Sequence, residues 1–116
     1  MQKYTGSCHC GDVRYVVELE LDRLVACNCS ICSRSGWLLA FVPAARFQLE
    51  TPEDAMTDYQ FGPKRIHHVF CRRCGVRPFS WGHDAEGNKT MSINVRCLEG
   101  VDPSALPVQE FDGRSM

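Results

Sequence analysis

Charge of either sign is nearly missing from the balance of this chain: 13 lysines and arginines against 14 aspartates and glutamates leave a net charge of −1. That removes the broad positive field that draws a protein to nucleic acid or to an anionic lipid surface, so neither is expected as a partner. The chain has no apolar run long enough to cross a membrane. The opening Met1-Gln2-Lys3-Tyr4-Thr5 lacks the apolar core of a secretory leader. Repeats, low-complexity tracts and linkers are also lacking, and residues 1–116 read as one domain. Helix signals are scarce. Asp102-Pro103-Ser104-Ala105-Leu106 has a capping aspartate with proline in the first helical position, and Pro107 stops it within about a turn.

Short strands fill most of the remainder. Arg14 to Leu21 reads as the clearest strand, one face apolar and the other mostly charged, after the Gly11-Asp12 turn. Trp37 to Val42 is continuously apolar up to Pro43 and reads as a buried strand. Further strands are expected over Arg46–Glu50, Thr57–Phe61, Arg65–Phe70, Pro78–Trp81 and Thr90–Val95, with a hairpin loop at Asp84–Asn88. The fold class is all-β, with small antiparallel sheets and little helix. Asp112 to Met116 is expected to fray.

Cysteine is what the chain has in abundance. Seven of its eight fall into clusters: Cys8-His9-Cys10, Cys27-Asn28-Cys29-Ser30-Ile31-Cys32 and Cys71-Arg72-Arg73-Cys74, with Cys97 apart. Thiols one or three residues apart can turn toward a common point. As disulfides they would close almost no loop, and without a leader they belong in a reducing, cytoplasmic setting that keeps them free for metal. No βαβ pattern surrounds Cys71 and Cys74 to suggest a thioredoxin-like redox pair.

Zinc sites take four protein ligands when structural and three when one position is left for a water or substrate. Cys8, Cys10, Cys71 and Cys74 make a four, pinning an early turn to a late knuckle whose backbone Gly75 lets turn sharply. That leaves Cys27, Cys29 and Cys32 as a three, for two zinc ions per chain. Three thiolates already feed charge to the metal, so the open site is a poor source of hydroxide and a good acceptor of another thiolate. The expected partner is therefore a small thiol substrate, activated toward an electrophile.

Arg34, just past the loop, is the first candidate for a balancing cation. Arg72, Arg73, Arg77 and Arg96 are others, each also readable as a solvated charge. Cys97 reads either as a small buried residue at a strand end or as a fourth ligand to the three-thiol metal. His67 and His68 alternate on a strand, so one faces inward; both read as satisfied or exposed side chains rather than ligands. His9 is expected in solvent, His83 at a turn where it could line a pocket, and Trp37 and Trp81 in the core.

Gly6-Ser7-Cys8-His9-Cys10-Gly11, the C-x-C-x-x-C of Cys27 to Cys32, Phe70-Cys71-Arg72-Arg73-Cys74-Gly75 and the closing Asn94-Val95-Arg96-Cys97-Leu98-Glu99-Gly100-Val101-Asp102 occur in this order through nearly the whole chain. Together they resemble the glutathione-dependent formaldehyde-activating enzymes and their centromere protein V-like relatives. The resemblance implies a β-tent built around zinc, with Cys8, Cys10, Cys71 and Cys74 on structural zinc and Cys27, Cys29 and Cys32 on catalytic zinc. It implies carbon–sulfur lyase chemistry, joining glutathione and formaldehyde as S-hydroxymethylglutathione and reversing that reaction. The competing expectation is a non-catalytic zinc module that binds a protein or nucleic acid through Lys64-Arg65 and Arg72-Arg73. Composition sets no oligomeric state.

Overall fold

A computed structural model describes residues 1–115. Strands dominate it, in two sheets. The smaller sheet has three strands in the order β1 (Gln2–Ser7), β2 (Arg14–Leu19) and β5 (Phe47–Leu49). The larger has seven: β10 (Val108–Phe111), β3 (Leu24–Cys27), β4 (Leu39–Pro43), β9 (Lys89–Asn94), β8 (Phe79–His83), β7 (Ile66–Cys71) and β6 (Met56–Tyr59). One short helix, α1 (Ser30–Ser35), follows β3. Among the described residues, no helix is long and apolar enough to cross a membrane.

Alternation decides which side chains meet between the sheets. On β2 the odd residues Tyr15, Val17 and Leu19 are buried, while Arg14 and Glu18 face water. They meet Ala40 and Val42 of β4, Met91 and Ile93 of β9, Phe79 of β8 and Val69 of β7 in one core. At its centre Tyr15 stacks on Phe47 at 5.0 Å and meets the edge of Phe79 at 5.6 Å, and its hydroxyl donates to the Pro78 carbonyl at 3.2 Å. Each sheet thus puts one face into this core, as expected for packed antiparallel layers.

The all-β class with little helix is as read from the sequence, with differences in detail. Gln2–Ser7 is a full strand, paired with β2 from Gln2↔Leu19 to Ser7↔Arg14. The strand expected to reach Leu21 ends at Leu19, where this pairing ends. The expectation of antiparallel pairing fails at one place: β10 runs parallel to β3, with Val108 opposite Leu24 and Phe111 opposite Cys27. Parallel pairing needs a long crossover rather than a hairpin, and here it runs from Asn28 to Pro107. The tail expected to fray is tied down as far as Arg114: Asn28 Nδ2 donates to Asp112 at 3.0 Å, and Arg114 N donates to Asn28 Oδ1 at 2.8 Å. Met116 lies outside the described residues. Asp102 caps a 3-10 turn at Pro103–Ala105, accepting from Ser104 N at 3.0 Å.

Candidate metal centre and pocket

Two turns from opposite ends of the fold bring four thiols together. Cys8 and Cys10 lie in the turn after β1, closed by Cys8 N donating to the Val13 carbonyl at 3.0 Å. Cys71 ends β7 and Cys74 follows in a turn closed by Cys71 N to the Val76 carbonyl at 3.0 Å. Gly75 makes this knuckle possible: its φ is +79°, in the left-handed region, and its N–H reaches the Cys71 carbonyl at 2.8 Å. All four Sγ atoms lie within 4.8 Å of one another. Cys8–Cys10 and Cys10–Cys71 sulfurs are 3.8 and 3.6 Å apart, close to the roughly 3.8 Å edge of a tetrahedron with metal–sulfur bonds of about 2.3 Å.

Backbone N–H groups surround these sulfurs as they would surround thiolates. Val13 N donates to Cys8 Sγ at 3.3 Å, and Arg73 N and Cys74 N both donate to Cys71 Sγ at 3.4 Å. Burial opposes ionisation of Cys74, but N–H groups of Val76 and Cys10 and the neighbouring thiols outweigh it and bring the thiol down to about 6. The donor set, its spacing and its N–H support all fit a closed four-sulfur metal site.

The second group sits at the other end of the large sheet. Cys27 is the last residue of β3, Cys29 precedes α1, and Cys32 lies within that helix. Their Sγ atoms also lie within 4.8 Å of one another. The helix was not foreseen: Ser-Ile-Cys-Ser-Arg-Ser has no apolar period, and six residues are too few to reveal one. Burial opposes ionisation of Cys29 too, yet the Cys32 N–H and the neighbouring thiols hold it below the usual thiol range. Burial pushes Cys32 up to about 12, against the pull of the nearby Trp37 indole. The donors suit a soft metal ion with one position left over.

The three cysteines line a cavity of about 560 Å³. Its walls come from the face of the large sheet opposite the core. On β4, Ala40 and Val42 point into the core, while Leu39 and Phe41 line the cavity. This accounts for the unbroken apolar run from Trp37 to Val42: both faces of the strand are apolar, and Phe41 is an exposed residue on the cavity side. His68 on β7, Ser80 on β8 and Ser92 on β9 complete that face. Trp37, His68 and Phe61 form a ladder of rings, stacked at 6.1 and 5.4 Å.

Two buried polar atoms on this wall lack partners, Trp37 Nε1 and His68 Nδ1. The indole N–H lies beside Cys32 without a hydrogen bond of standard geometry. Desolvation, then the Arg77 charge, lowers the His68 pKa and favours its neutral ring. Buried unpartnered groups carry a cost, and both residues belong to the cavity wall. Of the two strand histidines, His68 therefore faces the cavity. His67 turns to the other face, against Trp81 at 3.8 Å and with Nδ1 on Asp58.

The other candidates fall elsewhere. Arg34 bonds the Ser30 carbonyl of its own helix at 2.8 Å and lines an adjoining groove with Arg77, rather than the thiol cavity. Cys97 lies beside the four-thiol cluster instead of the three: burial first, then the charges of Cys8 and Cys74, push it up to about 11, and its Sγ approaches the Arg77 carbonyl at 3.9 Å. His9 and His83 are exposed. In the basic patch, Arg73 pairs with Asp12 at 3.8 Å.

The C-terminal segment closes one side of the three-thiol site. A Cβ on Gly113 would stand 2.6 Å from Cys27 Sγ and 3.2 Å from Cys29 Cβ. Gly113→Ala is expected to lift the tail or displace the Cys27 sulfur. Metal at this site should then be lost to a chelator several-fold faster, while the melting temperature changes by no more than a few degrees, since Gly113 lies beyond the last strand. Release kinetics beside a thermal melt check this; unchanged kinetics would mean the tail does not support the site.

Comparison with known proteins finds both a family and a solved structure similar to this chain. The family profile described as glutathione-dependent formaldehyde-activating enzyme matches residues 3–111. A solved crystal structure of a Rhodobacter sphaeroides protein is similar, with 32% identity, a TM-score of 0.78, and coverage of 93% of this chain and 100% of the other.

Proposed function

The chain belongs to the glutathione-dependent formaldehyde-activating enzyme family, and from that premise we propose that it makes or breaks a carbon–sulfur bond between a thiol and a small carbonyl compound such as formaldehyde. The observation that carries this reading is the contrast between the clusters. One has four thiols held between two turns; the other has three at a cavity with unpartnered polar atoms in its wall. In this reading Cys8, Cys10, Cys71 and Cys74 hold a structural zinc, and Cys27, Cys29 and Cys32 hold a second zinc at the reaction centre, two per chain. A zinc ion there would supply a soft Lewis acid that keeps a substrate sulfur in its thiolate form.

The protein's own groups act on the rest of the substrate. In the joining direction the sulfur lone pair forms the C–S bond, the carbonyl π pair moves to oxygen, and that oxygen takes up a proton. Trp37 Nε1–H is an unused donor for the oxygen. His68, neutral in the resting site, can take the proton the thiol gives up and, as the imidazolium so formed, return it to the oxygen. In the reverse direction the hydroxyl proton leaves, C=O forms, and the C–S electron pair returns to sulfur. Apolar walls flank both steps. The arginine first considered as the balancing cation, Arg34, has at most an indirect part, from the adjoining groove.

Cobalt substitution tests the reading. A small thiol should strengthen the sulfur-to-cobalt charge-transfer absorption, and a thioether should do so much less. Binding should weaken as pH falls, because protons compete with metal for the thiolate. No thiol-dependent change would remove the enzyme reading and leave a zinc module that binds a macromolecular partner.

A further inference from the structure

Resting on that reading of the three-thiol site, we propose that the thiol it takes bears a bulky apolar group, alone or as its adduct with a carbonyl compound, in preference to a charged peptide thiol such as glutathione. The large apolar side chains that remain exposed are not scattered. Seven are exposed among the described residues, and four of them, Phe41, Phe61, Ile66 and Phe111, stand around this one cavity. They come from four separate parts of the chain: β4, the segment between β6 and β7, the start of β7, and β10. Such a concentration of uncovered apolar surface around a reactive centre marks a binding site for an apolar group.

Charge is absent from the same walls. Among the described residues, no lysine, arginine, aspartate or glutamate lines the cavity, and the titratable groups that do are the three thiols and the neutral His68. A tripeptide thiol with two carboxylates and an ammonium would have to set those charges against phenylalanine and isoleucine, where nothing replaces their water. Arg34 and Arg77 line a groove that shares only Ile31 and Phe61 with the cavity, and Arg114, next to Gly113 of the cavity wall, is not among the lining residues. Size points the same way. A cavity of about 560 Å³ falls within the range of pockets for whole organic ligands. A thiolate sulfur joined to a one-carbon carbonyl would leave most of it to water lying against apolar walls.

The Phe61 ring, stacked on His68, and the half-exposed Phe111 ring are the surfaces the apolar group would cover. Selectivity follows from the area they remove from water. A phenyl-sized group buried there should tighten binding by at least about tenfold over a thiol with only a short polar arm.

The experiment uses the full chain loaded with cobalt and titrated with phenylmethanethiol, 2-mercaptoethanol and glutathione. Phenylmethanethiol should reach half-saturation at least about tenfold lower than 2-mercaptoethanol, with glutathione no better than 2-mercaptoethanol. Phe61→Ser and Phe111→Ser should each reduce the phenylmethanethiol preference several-fold, the loss falling more on phenylmethanethiol than on 2-mercaptoethanol. Equal half-saturation for all three, or tightest binding of glutathione, would overturn the inference while leaving the thiol-acceptor reading intact. A preference untouched by both serine variants would overturn it as well, because the apolar group would then lie elsewhere. Silence with every thiol would overturn both. A dimer broken by Phe111→Asp, with no thiol preference in the parent, would make this face a contact between copies and also count against the inference.

Discussion

Serine in place of Cys71 is expected to leave the chain largely unfolded at ordinary temperatures. The residue is fully buried at the end of β7, and its Sγ lies 3.6 Å from that of Cys10, 61 positions earlier in the chain. A metal held there joins the turn of the small sheet to the knuckle of the large one. Two backbone N–H groups, of Arg73 and Cys74, already converge on this sulfur, so its loss also removes their acceptor. Structural zinc in small domains supplies an apparent 10 kcal/mol or more, roughly, at neutral pH. Whole domains are stable by only about 5–15 kcal/mol. Losing one of four thiolates forfeits a large share of the first quantity, and a 116-residue core has little to spare. Circular dichroism and proton chemical-shift dispersion should show a chain without cooperative melting, and the purified protein should carry well under its full metal content. A variant melting within a few degrees of the parent would show that the four-thiol cluster is not the staple.

Both thiol groups were legible in the sequence because ligand spacing is a local property: C-x-C and C-x-x-C converge whatever the rest of the chain does. The strands of the core were legible for the same kind of reason, since Tyr15, Val17 and Leu19 show their alternation within a few residues. What needed the structure was everything set by distant pairing. The strand Val108–Phe111 has no clean alternation and takes its place only because Leu24–Cys27 offers a parallel edge. The cavity is equally hidden. Phe41, Phe61 and Phe111 are far apart in sequence, and the Trp37–Val42 run looked like a strand buried on both faces when one face lines a pocket. His67 and His68 were interchangeable on paper; strand register turned the second toward the thiols. The tail looked frayed because Asp112-Gly113-Arg114 is polar and short, and its anchor, Asn28, is 84 residues from Asp112.

Serine in place of Cys29 should give the opposite phenotype to that at Cys71: a folded chain that has lost its chemistry. Cys29 is only half-buried, precedes the six-residue α1 and makes no link between the two sheets. The main core, from Tyr15 through Ile93, does not include it, and the small cluster of Cys32, Trp37 and Leu39 keeps its own packing. Melting should therefore shift by no more than a few degrees. Two thiols remain where three stood, and two seldom suffice for a zinc site, so metal analysis should fall from two ions per chain toward one. The rate of adduct exchange between a thiol and formaldehyde, followed by NMR, should drop by at least about a hundredfold, since metal stabilisation of a developing charge is worth several kcal/mol. The two variants together separate folding from function. If Cys29→Ser unfolds the chain as fully as Cys71→Ser, both clusters are staples and the three-thiol site has no special role. If it folds, loses one metal and still turns over at the parent rate, the reaction does not depend on that metal, and His68 with its unpartnered Nδ1, on the same cavity, becomes the first place to look.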